Sequence, residues 1–293
     1  HHPYDHLATL LNARGWTSAL GVEMDNYYYS AASHRILETA FGRDTIADAT
    51  GLVNWQRAVK SPAELDMMRK AGQLTAHMHE VLRENFHQGG LKHELVAKVQ
   101  AAGVHGLPDI AGDYPAIAPI APSGREASAS HITWNDRPLA PNEATYFEIS
   151  GCFHRYHCPA SRTLFLGTPP EDIRRAESAV LQAIEDTFVA AKPGATCEEV
   201  AACVYESFAR SGYDKKNRTG YPIGLSYPPD WGERTMSLRP GDTTKLKENM
   251  TFHLMPGLWT PDWGLAITES FVVTPEGGQP LADIPRSLVV KDI

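Results

Sequence analysis

The sequence holds only four cysteines, Cys152, Cys158, Cys197 and Cys203, in 293 residues. None stands in a Cys-x-x-Cys pair, and their density is far below that of a disulfide scaffold, so a reducing cytoplasm fits best. Each reads as a small core residue. No apolar run approaches the roughly 18–20 residues that a membrane-crossing helix needs. No leader with a basic start and an apolar centre is visible. The chain begins His1-His2-Pro3 without an initiator Met, which points to a processed, truncated or tagged N-terminus. Positive charge is in short supply: 27 Lys and Arg against 35 Asp and Glu give a net charge of −8. That balance argues against nucleic acid or an anionic membrane as partner. Thirteen histidines are present, but His77/His79 and His154/His157 lack the His-Glu-x-x-His spacing of a zinc helix. Hydrophobic residues at 42% and charged residues at 21% exclude disordered and fibrous classes.

What is present is an alternation of helical and extended patterns. Residues 1–60 read as a small α/β piece, with helical periodicity over Asp5 to Arg14, a strand over Ser18 to Glu23 and a helix over Ser33 to Ala40. Ser61, Pro62 and Glu64 form a capping box that opens a helix running to about Phe86. A second helix covers Lys92 to Gly103. The runs Tyr114 to Pro122, Ala144 to Gly151 and Ser161 to Gly167 read as strands. Thr168-Pro169-Pro170-Glu171 reads as another capping box, opening a helix to about Ala191, and Thr196 with Glu199 opens a third to about Ser211. Strands return over Arg218 to Leu225, Met250 to Trp259 and Leu265 to Val273. The order of helix pair then strands thus occurs twice. Gly90-Leu91-Lys92-His93-Glu94 aligns with Gly194-Ala195-Thr196-Cys197-Glu198 at an offset of about 104 residues, which points to two related halves. A ligand site is expected at their shared sheet.

Two carboxylates stand inside apolar strand runs. Glu148 follows Tyr146-Phe147, and Glu269 lies in Ala266-Ile267-Thr268-Glu269-Ser270-Phe271. A buried carboxylate needs partners or a raised pKa, so each is either a salt-bridged structural residue or one member of an acid/base pair.

From about Ser61 to its end the chain resembles the pita-bread family of creatinase, prolidase and methionine aminopeptidase. The resemblance implies an α+β fold, two pseudo-symmetric halves of a helix pair plus antiparallel strands, over residues 61–293. Residues 1–60 then form a partial creatinase-type N-terminal domain. In the family's metallopeptidases an Asp is followed eleven residues later by Asp-x-Thr-Arg-Thr; here Glu148 is followed by Pro159-Ala160-Ser161-Arg162-Thr163. Their Gly-His-x-Ile-Gly appears as Gly220-Tyr221-Pro222-Ile223-Gly224, and their Glu-Pro-Gly as Met255-Pro256-Gly257. Their last ligand, a Glu, is matched here to Glu269. Two carboxylates fall short of the ligand set of a catalytic metal, so neither metal nor other cofactor is expected.

The runs Gly21 to Tyr29, Gly51 to Arg57, Arg155 to Pro159 and Tyr227 to Glu233 are similar to those of the ectoine hydrolases, which with the creatinases form the metal-free part of the family. This implies a small-molecule substrate, the cyclic amidine ectoine or hydroxyectoine, opened to N-acetyl-2,4-diaminobutyrate. Glu148 is then nucleophile or general base. His131, in Ser130-His131-Ile132-Thr133, matches the histidine that creatinase uses for proton transfer, the alternative being a hydrogen-bonded core histidine. Glu269 is expected to hold the amidinium. Tyr221, Trp231 and, less so, Trp134 offer aromatic faces to the cation, or are core. Arg162 receives the substrate carboxylate or is structural, and Asp230, His157 and Met255 complete the expected substrate-binding set. The resemblance also implies a homodimer, with a deacetylase acting on N-acetyl-diaminobutyrate as a further partner. Rival readings are a creatinase-like amidinohydrolase, an Xaa-Pro dipeptidase-like protein and an inactive binding module.

Overall fold

The computed structural model describes residues 2–293, with His1 outside the described residues. The chain divides into two compact units, His1–Arg57 and Ala58–Ile293. The first holds α1 (Pro3–Ala13), β1 (Leu20–Val22), α2 (Ala31–Phe41), β2 (Ile46–Asp48) and α3 (Leu52–Gln56), with β1 and β2 paired in parallel. The expected strand is shorter than the run that announced it. Asp25-Asn26 and the tyrosines after it supply turn rather than sheet.

The second unit opens with α4 (Pro62–Asn85), at the expected cap: Ser61 Oγ accepts from Glu64 N, and the Glu64 carboxylate accepts from Ser61 N at 2.8 Å. α5 (Lys92–His105) follows, then β3 (Ala144–Phe153) and β4 (Tyr156–Leu166). The second helix pair is α6 (Glu171–Ala190) and α7 (Cys197–Arg210), with Thr196 and Glu199 forming the cap of α7; the box expected from Thr168 and Glu171 does not form, because Pro170 is the cap residue of α6 and Glu171 its first helical one. The remaining strands are β5 (Gly220–Pro222), β6 (Thr251–Leu254), β7 (Leu258–Trp259), β8 (Gly264–Leu265), β9 (Glu269–Thr274), β10 (Gly277–Pro280) and β11 (Val289–Lys291). The sheets run β11-β4-β3 and β10-β9-β6-β5, with β7-β8 as a short ribbon. α5 and α7 are each 14 residues long, as two related halves require.

Strand alternation decides what each half buries. Phe147, Ile149, Leu164 and Leu166 meet Met78 and Leu82 of α4, Phe86 just past its end, and Val96 and Val99 of α5. In the other half Phe252, Leu254, Phe271 and Val273 meet Val180, Ile184, Val200 and Val204 of α6 and α7. The strand faces turned away from the helices are left for polar groups, and these carry the site. At Gly151 a Cβ would lie 2.4 Å from Ala71 O, so only glycine lets α4 sit this low on β3. Thr75 Oγ1 bridges the seam, accepting from Gly151 N at 2.8 Å and donating to Cys158 O at 2.7 Å.

The hairpin β3–β4 differs from the sequence reading, which starts its second strand at Ser161. The strands are joined through His154 and Arg155, with φ of 47° and 68°. Two such residues in succession make the type I′ geometry that a two-residue hairpin needs, without the usual Asn-Gly. The Arg155 guanidinium holds the turn in place. It donates to Ser226 O and Tyr114 O, pairs with Asp113 at 3.3 Å, and lies over the rings of Tyr114 and Tyr227. The run Tyr114 to Pro122 is not a strand; it supplies only a bridge from Ile120 to Glu148. Pro159 sits within β4 opposite Ser150, beyond the stretch of β4 that pairs with β11, where a missing N–H breaks no ladder to that strand.

Candidate active site

Glu148 and Ser161 face each other across β3 and β4. Ser161 Oγ donates to Glu148 Oε2 at 2.9 Å. The carboxyl is 7% exposed, and burial pushes its pKa up to about 7, against which the Ser161 hydrogen bond works. It is therefore divided between acid and carboxylate near neutrality, the condition a general acid or base needs.

A chain of polar groups from the second half stands beside it. Ser161 N donates to Thr268 Oγ1 at 2.7 Å, and Thr268 Oγ1 is 2.8 Å from His253 Nε2. His253 Nδ1 lies 3.0 Å from Tyr221 Oη, which accepts from Trp231 Nε1 at 2.7 Å. Tyr221 keeps its proton, because burial and the nearby Glu148 charge raise its pKa well above 10. His253 is thus hydrogen-bonded at both ring nitrogens, to Tyr221 Oη and Thr268 Oγ1, with the direction of each bond set by its tautomer. Burial lowers the His253 pKa to about 3, so the ring stays neutral. The charges of Glu148, Asp230 and Arg218 all act on Tyr221, and those of Arg218 and His131 on His253, which places these groups around one centre. Met255 packs into the cluster of Tyr221 and Trp231.

Several expected residues stand elsewhere than the sequence reading put them. Glu269 is opposite Leu254 in the β6–β9 ladder, while Tyr221, His253 and Ser270 occupy alternate positions. Its side chain thus leaves the sheet on the side away from Glu148 and pairs with Arg162 at 2.6 Å, with both residues 2% exposed or less. The residue of this stretch that reaches the site is its neighbour Thr268. Burial raises the Glu269 carboxyl, and Arg162 and Arg286 oppose that rise. Arg162 has no donor left for a substrate. Its Nε donates to Pro285 O, its Nη1 to Ser161 O and Thr268 O, and its Nη2 to Glu269 Oε1 and Ile284 O. All five N–H bonds of a guanidinium are then in use.

Trp231 is fully buried with its N–H engaged, and His157 packs against it at 6.2 Å while His157 Nε2 accepts from Ala116 N. Burial lowers His157 to a pKa of about 4. Both therefore support Tyr221 from behind. One face of the Tyr221 ring is itself covered by Arg218. Trp134 packs against the α4–α5 core cluster. His131 is exposed, its Nδ1 3.2 Å from Ser130 Oγ, and Asp230 Oδ1 accepts from Gly232 N.

His253, Thr268, Arg218 and Lys215 were not singled out from the sequence. His253 carried a readable signal, a polar ring in the alternating run Thr251-Phe252-His253-Leu254. Lys215 is 8% exposed, donates to Gly257 O and lies 4.8 Å from the Trp259 ring centre, and burial lowers its pKa to about 7. Trp259 Nε1 in turn donates to Tyr146 Oη at 3.4 Å, on the same face of β3 as Glu148. All four cysteines are free thiols. Among the described residues no three His, Cys, Asp or Glu are grouped to hold a metal, and no helix is long and apolar enough to cross a membrane.

Comparison with known proteins places this arrangement. The chain is 49% identical over 99% of its length, and 75% of the relative's, to the ectoine hydrolase of Halomonas elongata. It is 39% identical over 100% of its length and 76% of the relative's to an uncharacterized hydrolase/peptidase of Sinorhizobium fredii. The solved Xaa-Pro dipeptidase from Bacillus anthracis superposes with a TM-score of 0.87 at 20% identity, covering 99% of this chain and 79% of that one, which establishes the shared fold. Residues 66–275 match metallopeptidase family M24. The twice-repeated helix pair and strands are the pita-bread fold of that family, and the chain belongs to it.

Proposed function

We propose that the protein hydrolyses the ring of ectoine, or its hydroxylated form, to N-acetyl-2,4-diaminobutyrate without a metal. The substrate follows from the 49% identity to the Halomonas elongata ectoine hydrolase. The mechanism follows from one observation: Glu148 is a buried carboxyl with a pKa of about 7 that faces the Tyr221–His253–Thr268 chain.

The metal that the family name implies does not fit these side chains. The positions taken as ligand sites hold Glu148, Pro159, Tyr221, Met255 and, with Glu269 turned away, Thr268. A hard divalent ion needs several oxygen or imidazole donors, and here one carboxylate stands with proline, a thioether and two hydroxyls already hydrogen-bonded. No step is routed through a metal.

In the proposed reaction Glu148 delivers oxygen to the amidinium carbon, as nucleophile or as base for water. The carbon–nitrogen bond to one ring nitrogen breaks, and that nitrogen takes a proton from His131. With Glu148 as base, the oxygen of water enters the amide directly; with Glu148 as nucleophile, its own oxygen enters the amide, and water attacking the Glu148 carbonyl restores the carboxylate. Asp230, beside Tyr221, takes the amidinium contact first assigned to Glu269. Glu269 and Arg162 act from behind, fixing Ser161 and Thr268 through the carbonyls that Arg162 binds. Met255 and Tyr221 form the wall. The N-acetyl product calls for a deacetylase as next enzyme, and the protein is proposed to work as a homodimer in the cytoplasm. Residues 1–60 are assigned to an N-terminal domain and 61–293 to the catalytic one.

The test is an NMR time course of purified protein with ectoine, run before and after chelation and alongside elemental analysis. Ring opening that survives chelation is expected. Loss of turnover on chelation with return on adding a divalent ion would rule the mechanism out.

A further inference from the structure

We infer that Arg218 is the anchor for the carboxylate of a zwitterionic substrate, and so determines the preference for ring amidines that carry one; this rests on the hydrolase reading above. Arg218 precedes β5 by two residues. Its guanidinium carbon lies 4.4 Å from the centre of the Tyr221 ring. That ring is fixed, because its hydroxyl is held between Trp231 Nε1 and His253 Nδ1. A cation over a ring face uses none of its hydrogen-bond donors on an oxygen or nitrogen acceptor. The five N–H bonds of the guanidinium lie in its plane and stay available for a two-point contact with a carboxylate.

The side chain is exposed, and among the described residues no hydrogen-bond acceptor engages it. Other nearby cations are in use. Arg162 is saturated, and Arg155 binds Ser226 O, Tyr114 O and Asp113. Lys215 is buried beneath Trp259 with its amine on Gly257 O. Around Tyr221 the charges are thus one available cation, Arg218, and two carboxylates, Glu148 and Asp230. This matches a small ring with an amidinium and a carboxylate. The amidinium faces Glu148 and Asp230, and the carboxylate faces Arg218, which orients the ring for attack at the amidinium carbon.

The test is a cycle of two changes. One is Arg218→Met, with Arg218→Lys as its conservative partner. The other removes the substrate's carboxylate, with 2-methyl-1,4,5,6-tetrahydropyrimidine in place of ectoine. Each change alone is expected to raise KM by about 10- to 100-fold, with kcat moving far less, as for a lost hydrogen bond to a charged group. The two together should cost no more than either alone. Arg218→Lys should recover part of the loss. Additive losses, or an unchanged KM for ectoine in Arg218→Met, would overturn the assignment. Calorimetric binding separates this result from failure of the hydrolase reading. If the native protein binds ectoine without turning it over, the hydrolase reading falls, and equal ectoine affinity in native and Arg218→Met protein then overturns the role of Arg218. Absence of binding to the native protein overturns both.

Discussion

Glu148→Gln should make the protein more stable at alkaline pH than the native chain. The Glu148 carboxyl is buried, and its pKa rises from 4.5 to about 7 in the folded state. Below about pH 4.5 it is protonated in both folded and unfolded chains and imposes no penalty. Between pH 4.5 and 7 the unfolded chain ionises while the folded one keeps its proton, so stability falls as pH rises. Above about pH 7 the penalty is complete. A rise of this size corresponds to about 3 kcal/mol, or about 5 °C in Tm for a chain of this length. The native curve alone is not diagnostic, because His79, His157 and His253 have lowered pKa values and add stability as pH rises through the acid range. Both proteins share those histidines, so subtraction isolates Glu148. Gln keeps an acceptor for Ser161 Oγ, and any fixed cost of its amide group does not change with pH. The assay is calorimetric or fluorescence melting of both proteins from pH 4 to 9. The difference between the curves should open between pH 4.5 and 7 and then level off. Parallel curves would mean that Glu148 is not held as an acid by burial, and the case for it as a poised base would fail with them.

In the proposed reaction the same titration acts on catalysis in the opposite sense: kcat/KM should fall as pH drops below about 7, because there the ionised carboxylate is to deliver the oxygen. A flat profile from pH 5 to 8 would refute that role. Glu148→Gln should also abolish turnover, and near-native product formation would exclude Glu148 as nucleophile or base. One turnover in H2(18)O separates the two roles: a nucleophilic Glu148 puts unlabelled carboxyl oxygen into the first product, whereas a base puts label there from the start. Arg162→Met should cost about 3–5 kcal/mol, because it leaves Glu269 charged, buried and short of its 2.6 Å partner. Thermal melting checks this, and a raised KM for ectoine with unchanged Tm would instead show that Arg162 contacts substrate.

The helix pairs were legible because their signals are local. Ser61 with Glu64 and Thr196 with Glu199 sit where the capping boxes form, and the 3.6-residue pattern runs on from each. The β3–β4 hairpin was not legible, because His154-Arg155 is not a turn dipeptide. Its positive φ values are sustained by tertiary contacts of Arg155 with Ser226, Tyr114 and Asp113, far away in sequence. The site divides along the same line. Glu148 was readable as a carboxylate in an apolar strand. Glu269 gave the same signal, yet strand alternation sends the two to opposite sides, and a single step in register separates a catalytic from a structural reading.

That register also shows how the two sheets, where β4 and β9 meet, carry a charged pair on one side and a nearly neutral site on the other. On the hidden side Arg162 and Glu269 neutralise each other while the Arg162 guanidinium also donates to the backbone carbonyls of Ser161, Thr268, Ile284 and Pro285. This holds Ser161 and Thr268 2.7 Å apart, N to Oγ1. On the side of the site Thr268, His253, Tyr221 and Trp231 form a buried chain of hydrogen bonds with no net charge. Glu148 therefore lacks a close cation, and this absence, together with burial, keeps its pKa near 7. A cation placed against it would drive the carboxyl back to full ionisation and lower its basicity. In the proposed reaction the amidinium of the arriving substrate is such a cation, so its binding is expected to ionise Glu148.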